Sequence, residues 1–123
     1  MNAGTGFIGY GSMGSMIVKG LLDKKCLKPK NVIISTRHPA ALTALLDKYP
    51  SVNVAENNRT LARQCNRVLL CTKPLDAVHV LSEISNDLQP DTHLVSIAAC
   101  LPMEGIARFF SGGITRVVPS LSN

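Results

Sequence analysis

Aromatic side chains are scarce in this sequence: they make up 4% of the 123 residues, and tryptophan is absent. Proteins that bind single-stranded nucleic acids stack bases on aromatic rings, so this scarcity argues against that class. The formal net charge of +5 raises the question again, because a basic surface attracts nucleic acid. The clustered lysines, however, fall at the end of a predicted helix and in the next loop, where cations are favoured: Lys19, Lys24, Lys25, Lys28 and Lys30. We therefore expect a solvated basic face and no nucleic-acid partner.

Long apolar runs and paired cysteines are also missing. No apolar run reaches the roughly 18 residues of a membrane-spanning helix. The N-terminus also lacks the positively charged region followed by an apolar region that is typical of a signal peptide. We therefore expect a cytoplasmic protein that does not bind membranes. None of the four cysteines has C-x-x-C spacing, which favours free thiols over disulfides or zinc: Cys26, Cys65, Cys71 and Cys100.

Familiar catalytic and metal-binding patterns are absent as well. His38, His79 and His93 are scattered, and none has a Cys, Asp or Glu partner at metal-ligand spacing. The sequence has no G-x-S-x-G motif and no pair of carboxylates that the pattern places on one face. We therefore assign no catalytic residue and no metal ligand within these 123 residues.

Short β-rich runs alternate with amphipathic helical stretches along the whole chain. Such alternation predicts one domain built on a parallel sheet with helices against it. The predicted strands cover Thr5 to Ile8, Asn31 to Ser35, Val52 to Ala55, Arg67 to Thr72, His93 to Ala98 and Arg116 to Val118. We therefore expect an α/β fold of the Rossmann type, doubly wound, with a mainly parallel six-stranded sheet and helices on both faces.

A glycine-rich turn, "GFIGYGSMGSM", joins the first predicted strand to a helix over Ser12 to Leu22. In that context G-x-G-x-x-G predicts a dinucleotide cradle. Gly9 would permit the tight turn, Gly11 would let a pyrophosphate approach the backbone, and Gly14 would let the helix pack closely on the strand. The helix N-terminus would face the phosphates. The alternative is a glycine turn that only fits a tight corner; no G-K-[ST] follows, which excludes a P-loop.

The residues after the second predicted strand indicate which dinucleotide is bound. An acidic residue there would accept hydrogen bonds from the ribose 2′-hydroxyl of NAD, but no carboxylate occurs between Ser35 and Asp47. Arg37 can instead pair with a 2′-phosphate, assisted by the hydroxyls of Ser35 and Thr36. We therefore predict that the chain binds NADP(H), and the alternative cofactor is NAD(H). The alternative interpretation of Arg37 is an exposed loop residue with no ligand contact.

Four segments together resemble the N-terminal domain of 1-pyrroline-5-carboxylate reductases: "GFIGYGSMG", "STR", "NRTLARQCNRVLLCTKP" and "LVSIAAC". The resemblance extends from Gly6 to about Pro119. It implies a pyrophosphate site at Gly9, Gly11, Ser12, Met13 and Gly14, and a 2′-phosphate site at Ser35, Thr36 and Arg37. It also implies that Asn58 meets the adenosine ribose and that the nicotinamide end is lined by Cys71, Thr72, Lys73, Pro74, Ala98 and Ala99.

Three positions depart from that family's pattern. Asn66 stands where the reductases usually have aspartate, Cys100 where a glycine is expected, and "VVPSLSN" replaces an "MPNTP"-like segment. The late-competence reductase-like proteins of Gram-positive bacteria resemble this chain in the Pro-Ser run. A regulatory nucleotide-binding module and another NADP-dependent reductase therefore remain as alternative functions.

The resemblance implies an NADP-dependent oxidoreductase acting on CH–NH bonds, in which hydride passes to a cyclic imine and gives L-proline. In that family a C-terminal helical domain supplies the dimer interface and the substrate pocket, and it would follow Asn123. We expect residues 1–123 to form one NADP-binding domain that binds NADP(H) but turns over little or nothing. Without the helical domain, an exposed apolar patch would favour weak self-association.

Overall fold

The computed structural model describes residues 4–97 and 113–116. Six strands and four α-helices alternate along this part of the chain, with short 3-10 turns at Pro29–Asn31 and Pro39–Leu42. The strands are β1 (Gly4–Ile8), β2 (Val32–Ser35), β3 (Asn53–Val54), β4 (Cys65–Leu70), β5 (His93–Ser96) and β6 (Gly113–Arg116). The helices are α1 (Ser12–Asp23), α2 (Thr43–Lys48), α3 (Asn58–Gln64) and α4 (Pro74–Ile84).

The sheet has the strand order β3-β2-β1-β4-β5-β6, and all of its neighbouring pairs are parallel. The chain first builds outward from β1 to β3 and then returns to add β4 on the other side of β1. This reversal between β1 and β4 is the topological switch point of doubly wound sheets, outside which ligands bind. The predicted α/β, Rossmann-type fold is confirmed.

The two faces of the sheet carry separate cores, because successive side chains of a strand point to opposite faces. Phe7 of β1 packs in one cluster with Val18, Leu22 and Leu45 from α1 and α2. The next residue, Ile8, packs in the other cluster, which holds apolar residues of α3 and α4: Leu61, Ala62, Ala77, Val80, Leu81 and Ile84. The prediction of helices on both faces is therefore confirmed.

The last strand begins earlier in the sequence than predicted. β6 covers Gly113–Arg116, whereas the sequence favoured Arg116 to Val118, and residues 117 and 118 lie outside the described part. Gly113 pairs with His93, and a Cβ there would lie 2.6 Å from His93 Nδ1. This glycine permits close approach to the neighbouring strand, although glycine pairs in a sequence usually indicate a turn.

Free thiols are confirmed for Cys26, Cys65 and Cys71, while Cys100 lies outside the described residues. Burial raises the pKa of the Cys65 thiol to about 11, so this thiol stays protonated near neutral pH. In the described part of the chain, no helix is long and apolar enough to cross a membrane.

Candidate functional site

The turn after β1 depends on a glycine at position 9. Gly9 has a φ of +98°, a backbone conformation that side-chain-bearing residues rarely adopt. A Cβ at this position would also lie 3.1 Å from the Cys71 carbonyl group. The Gly9 N–H donates to the Ser35 carbonyl oxygen at 2.9 Å, which ties the turn to the end of β2. The turn is thus fixed against the segments that follow β2 and β4.

The other two glycines of the motif differ in their surroundings. A Cβ on Gly14 would lie 2.7 Å from the Gly9 carbonyl oxygen and 3.2 Å from Cys71 Cβ, whereas a Cβ on Gly11 would meet nothing within 4 Å. Gly14 therefore brings α1 close to the sheet, as the sequence predicted. Gly11 faces open space at the start of α1, where a ligand could approach the backbone.

The N-terminus of α1 is suited to an anion. The helix begins at Ser12, and no side chain caps it. Ser12 is exposed and Met13 is half-buried, and both belong to the first turn, whose N–H groups have no partner within a helix. These N–H groups and the positive end of the helix dipole favour negative charge.

A cleft of about 630 Å³ opens beside this turn. It lies at the carboxyl ends of β1, β2 and β4, with α3 and α4 forming its far wall. Its lining residues are Ile8, Gly9, Ser35, Thr36, Arg37, Glu56, Asn57, Asn58, Thr72, Asp76, His79, Val80 and Glu83. Six of the predicted site residues thus share one cleft, although they come from four separate segments: Gly9, Ser35, Thr36, Arg37, Asn58 and Thr72.

A chain of hydrogen bonds crosses the cleft from β2 to α4. The Ser35 hydroxyl donates to Asn58 Oδ1 at 2.5 Å, and Asn58 Nδ2 donates to Glu83 Oε1 at 2.9 Å. Ser35 is buried, so its hydroxyl depends on this internal acceptor. The neighbouring Thr36 hydroxyl accepts from the backbone N–H of His38 at 3.1 Å. Ser35 and Asn58 are predicted site residues, whereas the sequence did not indicate Glu83.

Arg37 forms an ion pair across the cleft. Its Nη2 lies 3.1 Å from Asp76 Oδ2, and the two side chains are 78% and 39% exposed. Asp76 lies in the first turn of α4, where the helix dipole stabilises a carboxylate. Asp76 was not among the predicted site residues, although the Lys73-Pro74 helix start places it in the first turn of a helix.

The segment after β4 forms the other end of the site. Thr72 Oγ1 is buried with no hydrogen-bond partner among the described residues, so it is a polar atom available to a ligand. Burial raises the pKa of the Cys71 thiol to about 12, which makes it a protonated, unreactive group at neutral pH. Lys73 is exposed and precedes Pro74, the first residue of α4.

Some predicted positions do not line the cleft, and others are not among the residues that the structure describes. Ala98 and Ala99 fall outside the described residues. The remaining predicted positions do not line the cleft. They lie on the glycine turn, in the first turn of α1, in the segment after β4 and at the first residue of α4: Gly11, Ser12, Met13, Gly14, Cys71, Lys73 and Pro74. Within residues 4–97 and 113–116, no group of three or more His, Cys, Asp or Glu side chains could hold a metal ion.

A parallel sheet that reverses beside β1, with a glycine turn leading into α1 at that point, defines the class of Rossmann dinucleotide-binding domains. A family model agrees with this class. It is described as NADP oxidoreductase, coenzyme F420-dependent, and it matches residues 5–100. The chain belongs to that family.

Individual relatives support the same conclusion. The chain is 34% identical over 119 residues to pyrroline-5-carboxylate reductase 3 of Bacillus subtilis and 30% identical over 118 residues to ComE operon protein 4 of the same organism. Each match covers 96% of this chain and 43% of the relative. The chain therefore spans less than half the length of these relatives. The similarity to pyrroline-5-carboxylate reductases is confirmed.

Solved structures show the same arrangement. The pyrroline carboxylate reductase of Plasmodium falciparum, determined with NADP bound, matches 97% of this chain and 43% of its own length. The two have a TM-score of 0.80 and 27% sequence identity. The fold and the order of its elements are therefore shared with the corresponding part of a longer reductase.

Proposed function

We propose that this chain forms the NADP(H)-binding domain of a pyrroline-5-carboxylate reductase-like oxidoreductase. In the complete enzyme, hydride would pass from NADPH to the carbon of a cyclic imine and give L-proline. The observation that carries the proposal is the cleft at the carboxyl ends of β1, β2 and β4, which adjoins an uncapped helix N-terminus. It combines an anion site with a polar pocket of dinucleotide size.

The pyrophosphate would lie against the glycine turn. Gly11 leaves its surroundings open, and the first-turn N–H groups at Ser12, Met13 and Gly14 would donate to the phosphate oxygens. The role of Gly9 would be to allow the tight turn, because its φ of +98° is one that other residues rarely adopt. The open space beside Gly11 supports this placement of the pyrophosphate, because a side chain at Gly11 would occupy the space that a phosphate needs.

The adenosine end would lie between β2 and α4. Arg37 would bind the 2′-phosphate, with Ser35 and Thr36 beside it, because a guanidinium forms paired hydrogen bonds with phosphate oxygens. Asn58 would meet the ribose from the start of α3. NAD(H), which lacks the 2′-phosphate, would bind the same cleft without the contribution of Arg37.

The nicotinamide end would lie where β4 and β5 finish. The Thr72 hydroxyl, buried without a partner among the described residues, would donate to or accept from the cofactor. Cys71, Lys73 and Pro74 would border this end, together with Ala98 and Ala99. The nicotinamide supplies the hydride chemistry, while the residues of this domain bind and orient it.

The substrate site is proposed to lie outside residues 1–123. We assign no catalytic acid or base to the described residues, and the chain covers 43% of pyrroline-5-carboxylate reductase 3 of Bacillus subtilis. A helical domain of the complete enzyme would supply the imine pocket and the dimer contacts. The 123-residue chain alone would bind NADP(H) with little or no turnover, and it would self-associate weakly. Its free thiols, including exposed Cys26, fit a cytoplasmic location, where thiols stay reduced.

A second candidate is a regulatory nucleotide-binding module. The observation behind it is the 30% identity with ComE operon protein 4, whose name does not identify it as a reductase. That match covers as much of the chain as the match with the reductase. Both candidates share the cofactor cleft. They differ in whether the longer protein reduces pyrroline-5-carboxylate with NADPH, which an assay of the complete protein would decide.

Calorimetric titration of the purified chain with NADPH and with NADH tests the cofactor proposal. We expect NADPH to bind at least tenfold more tightly, a difference of about 1.4 kcal/mol. Arg37→Ala should remove that preference, because NADH binding does not use the guanidinium. Lys28→Ala, which removes an equal charge from an exposed position before β2, is the matched control and should leave the preference intact. Binding of neither dinucleotide would refute the proposal.

A further inference from the structure

The charges that line the cleft are unusual for a site proposed to accept a 2′-phosphate. Arg37 is the single Lys or Arg among the described lining residues, whereas three carboxylates line the same space: Glu56, Asp76 and Glu83. His79 also lines it. The adenosine end therefore carries an excess of negative charge in the described part of the chain, and a doubly charged phosphate must enter against it.

Asp76 stands nearest to the place where that phosphate would bind. Its Oδ2 lies 3.1 Å from Arg37 Nη2, so it already contacts the one cation expected to hold the 2′-phosphate. The contact joins the segment after β2 to the first turn of α4, on opposite walls of the cleft. The position of Asp76 is set by the first turn of α4, to which it belongs.

A 2′-phosphate that binds Arg37 would come within a few ångströms of the Asp76 carboxylate. The guanidinium has five N–H donors, so it can contact both groups, but the phosphate and the carboxylate then repel each other. The opposite effect would be that Asp76 holds Arg37 ready for the ligand. Arg37 is 78% exposed, and an ion pair this exposed restrains its partners only weakly. Repulsion is therefore expected to dominate.

We propose that Asp76 is a specificity-determining residue that opposes the 2′-phosphate and so limits the preference of this domain for NADP(H) over NAD(H). The inference rests on the proposed function of the cleft. It assigns to α4 a role in cofactor choice that residues near the end of β2 usually hold. Glu83 is bonded to Asn58 and is directed to the ribose side, so Asp76 carries the effect on the phosphate.

The test uses two small probes that occupy the adenosine end alone: adenosine 2′,5′-bisphosphate and adenosine 5′-monophosphate. Asp76→Asn keeps the size of the side chain and removes its charge. We expect the variant to bind the bisphosphate about three- to tenfold more tightly, from Coulomb repulsion over a few ångströms of hydrated space. Binding of the monophosphate should change less than about twofold. The gain should shrink as salt is raised, because ions screen exposed charges.

Asp47→Asn is the matched control, since Asp47 is an exposed carboxylate on α2 and does not line the cleft. It should leave both affinities unchanged. If Asp76→Asn leaves the affinity for the bisphosphate unchanged or lowers it, the inference is wrong while the proposed function stands. If the unaltered chain binds neither probe nor NADPH, the proposed function and the inference fall together.

Discussion

The two halves of the cleft are built in different ways. On the side of the β1–α1 turn, the shape is set by the backbone: Gly9 has a φ of +98°, and Gly14 leaves no space for a Cβ. On the side of β2 and α4, side chains define the surface through the pairs Ser35–Asn58 and Arg37–Asp76. In the backbone half, the fold should tolerate no added bulk at Gly9 or Gly14. In the side-chain half, substitutions should change selectivity without loss of the fold.

The largest effect is expected from bulk at Gly14. Gly14→Ala would place a Cβ 2.7 Å from the Gly9 carbonyl oxygen, so α1 must shift away from the sheet. We expect a loss of about 1–3 kcal/mol in the free energy of unfolding and more than tenfold weaker NADPH binding. Urea denaturation and calorimetry measure the two effects.

Gly20→Ala is the matched control within the same helix. A Cβ at Gly20 would meet nothing within 4 Å, and alanine is the better helix former. We expect this variant to be more stable by about 0.5–1 kcal/mol and to bind NADPH normally. Equal behaviour of the two variants would contradict the assigned role of Gly14.

Gly11→Ala separates the fold from ligand binding on the backbone side. Gly11 has a φ of −83°, which alanine adopts readily, and its Cβ would have free space. The free energy of unfolding should change by less than about 0.5 kcal/mol. Affinity for NADPH and NADH should fall together, by about tenfold or about 1.4 kcal/mol, because the pyrophosphate is common to both. A change in their ratio would show that the turn does not hold the pyrophosphate.

A double-mutant cycle tests the side-chain half. Ser35→Ala, Asn58→Ala and the double variant should give a coupling of about 1 kcal/mol in the free energy of unfolding, because Asn58→Ala leaves the buried Ser35 hydroxyl without its acceptor. Chemical denaturation of the four proteins provides the values. Additive effects would mean that the 2.5 Å contact contributes nothing to stability.

The smallest effect is expected from a substitution at the C-terminal end of α1, which lies away from both halves of the cleft. Lys25 has a φ of +59°, and hydrogen bonds from Lys25 N–H to Leu22 and from Cys26 N–H to Leu21 close the helix end. Glycine is favoured at this position, so Lys25→Gly should stabilise the fold by about 0.5–1 kcal/mol. NADPH affinity should not change. Lys24→Gly, at a φ of −87°, is the control and should bring no gain in thermal stability.

The backbone half could be predicted from the sequence, and the side-chain half only in part. A strand, three spaced glycines and a helix lie within 20 residues of one another, so local pattern alone locates the turn. Asp76 and Glu83 reach the cleft through the packing of α4 on the sheet, about 40 residues beyond Arg37. The Lys73-Pro74 helix start places Asp76 in the first turn of α4, but the sequence does not indicate which face of α4 meets the end of β2.

Two glycines show a further limit. Gly6 lies inside β1, where a Cβ would be 2.8 Å from Cys65 Sγ, and Gly113 allows β6 to approach His93. Both serve contacts between segments far apart in the chain. The G-x-G-x-x-G pattern gives roles to Gly9, Gly11 and Gly14. Gly6 lies inside the first predicted strand with no role assigned to it, and the last strand begins at Gly113, before its predicted start at Arg116.

The most direct test of the central claim is an NMR titration of the ¹⁵N-labelled chain with NADPH and with NADH. We expect the backbone amides of Gly11 to Gly14 to shift with both dinucleotides, whereas those of Thr36 and Arg37 should shift more strongly with NADPH. Amides near Lys24, at the opposite end of α1, should not move. If saturating NADPH left the glycine-turn amides unchanged, the two halves would not form one dinucleotide site.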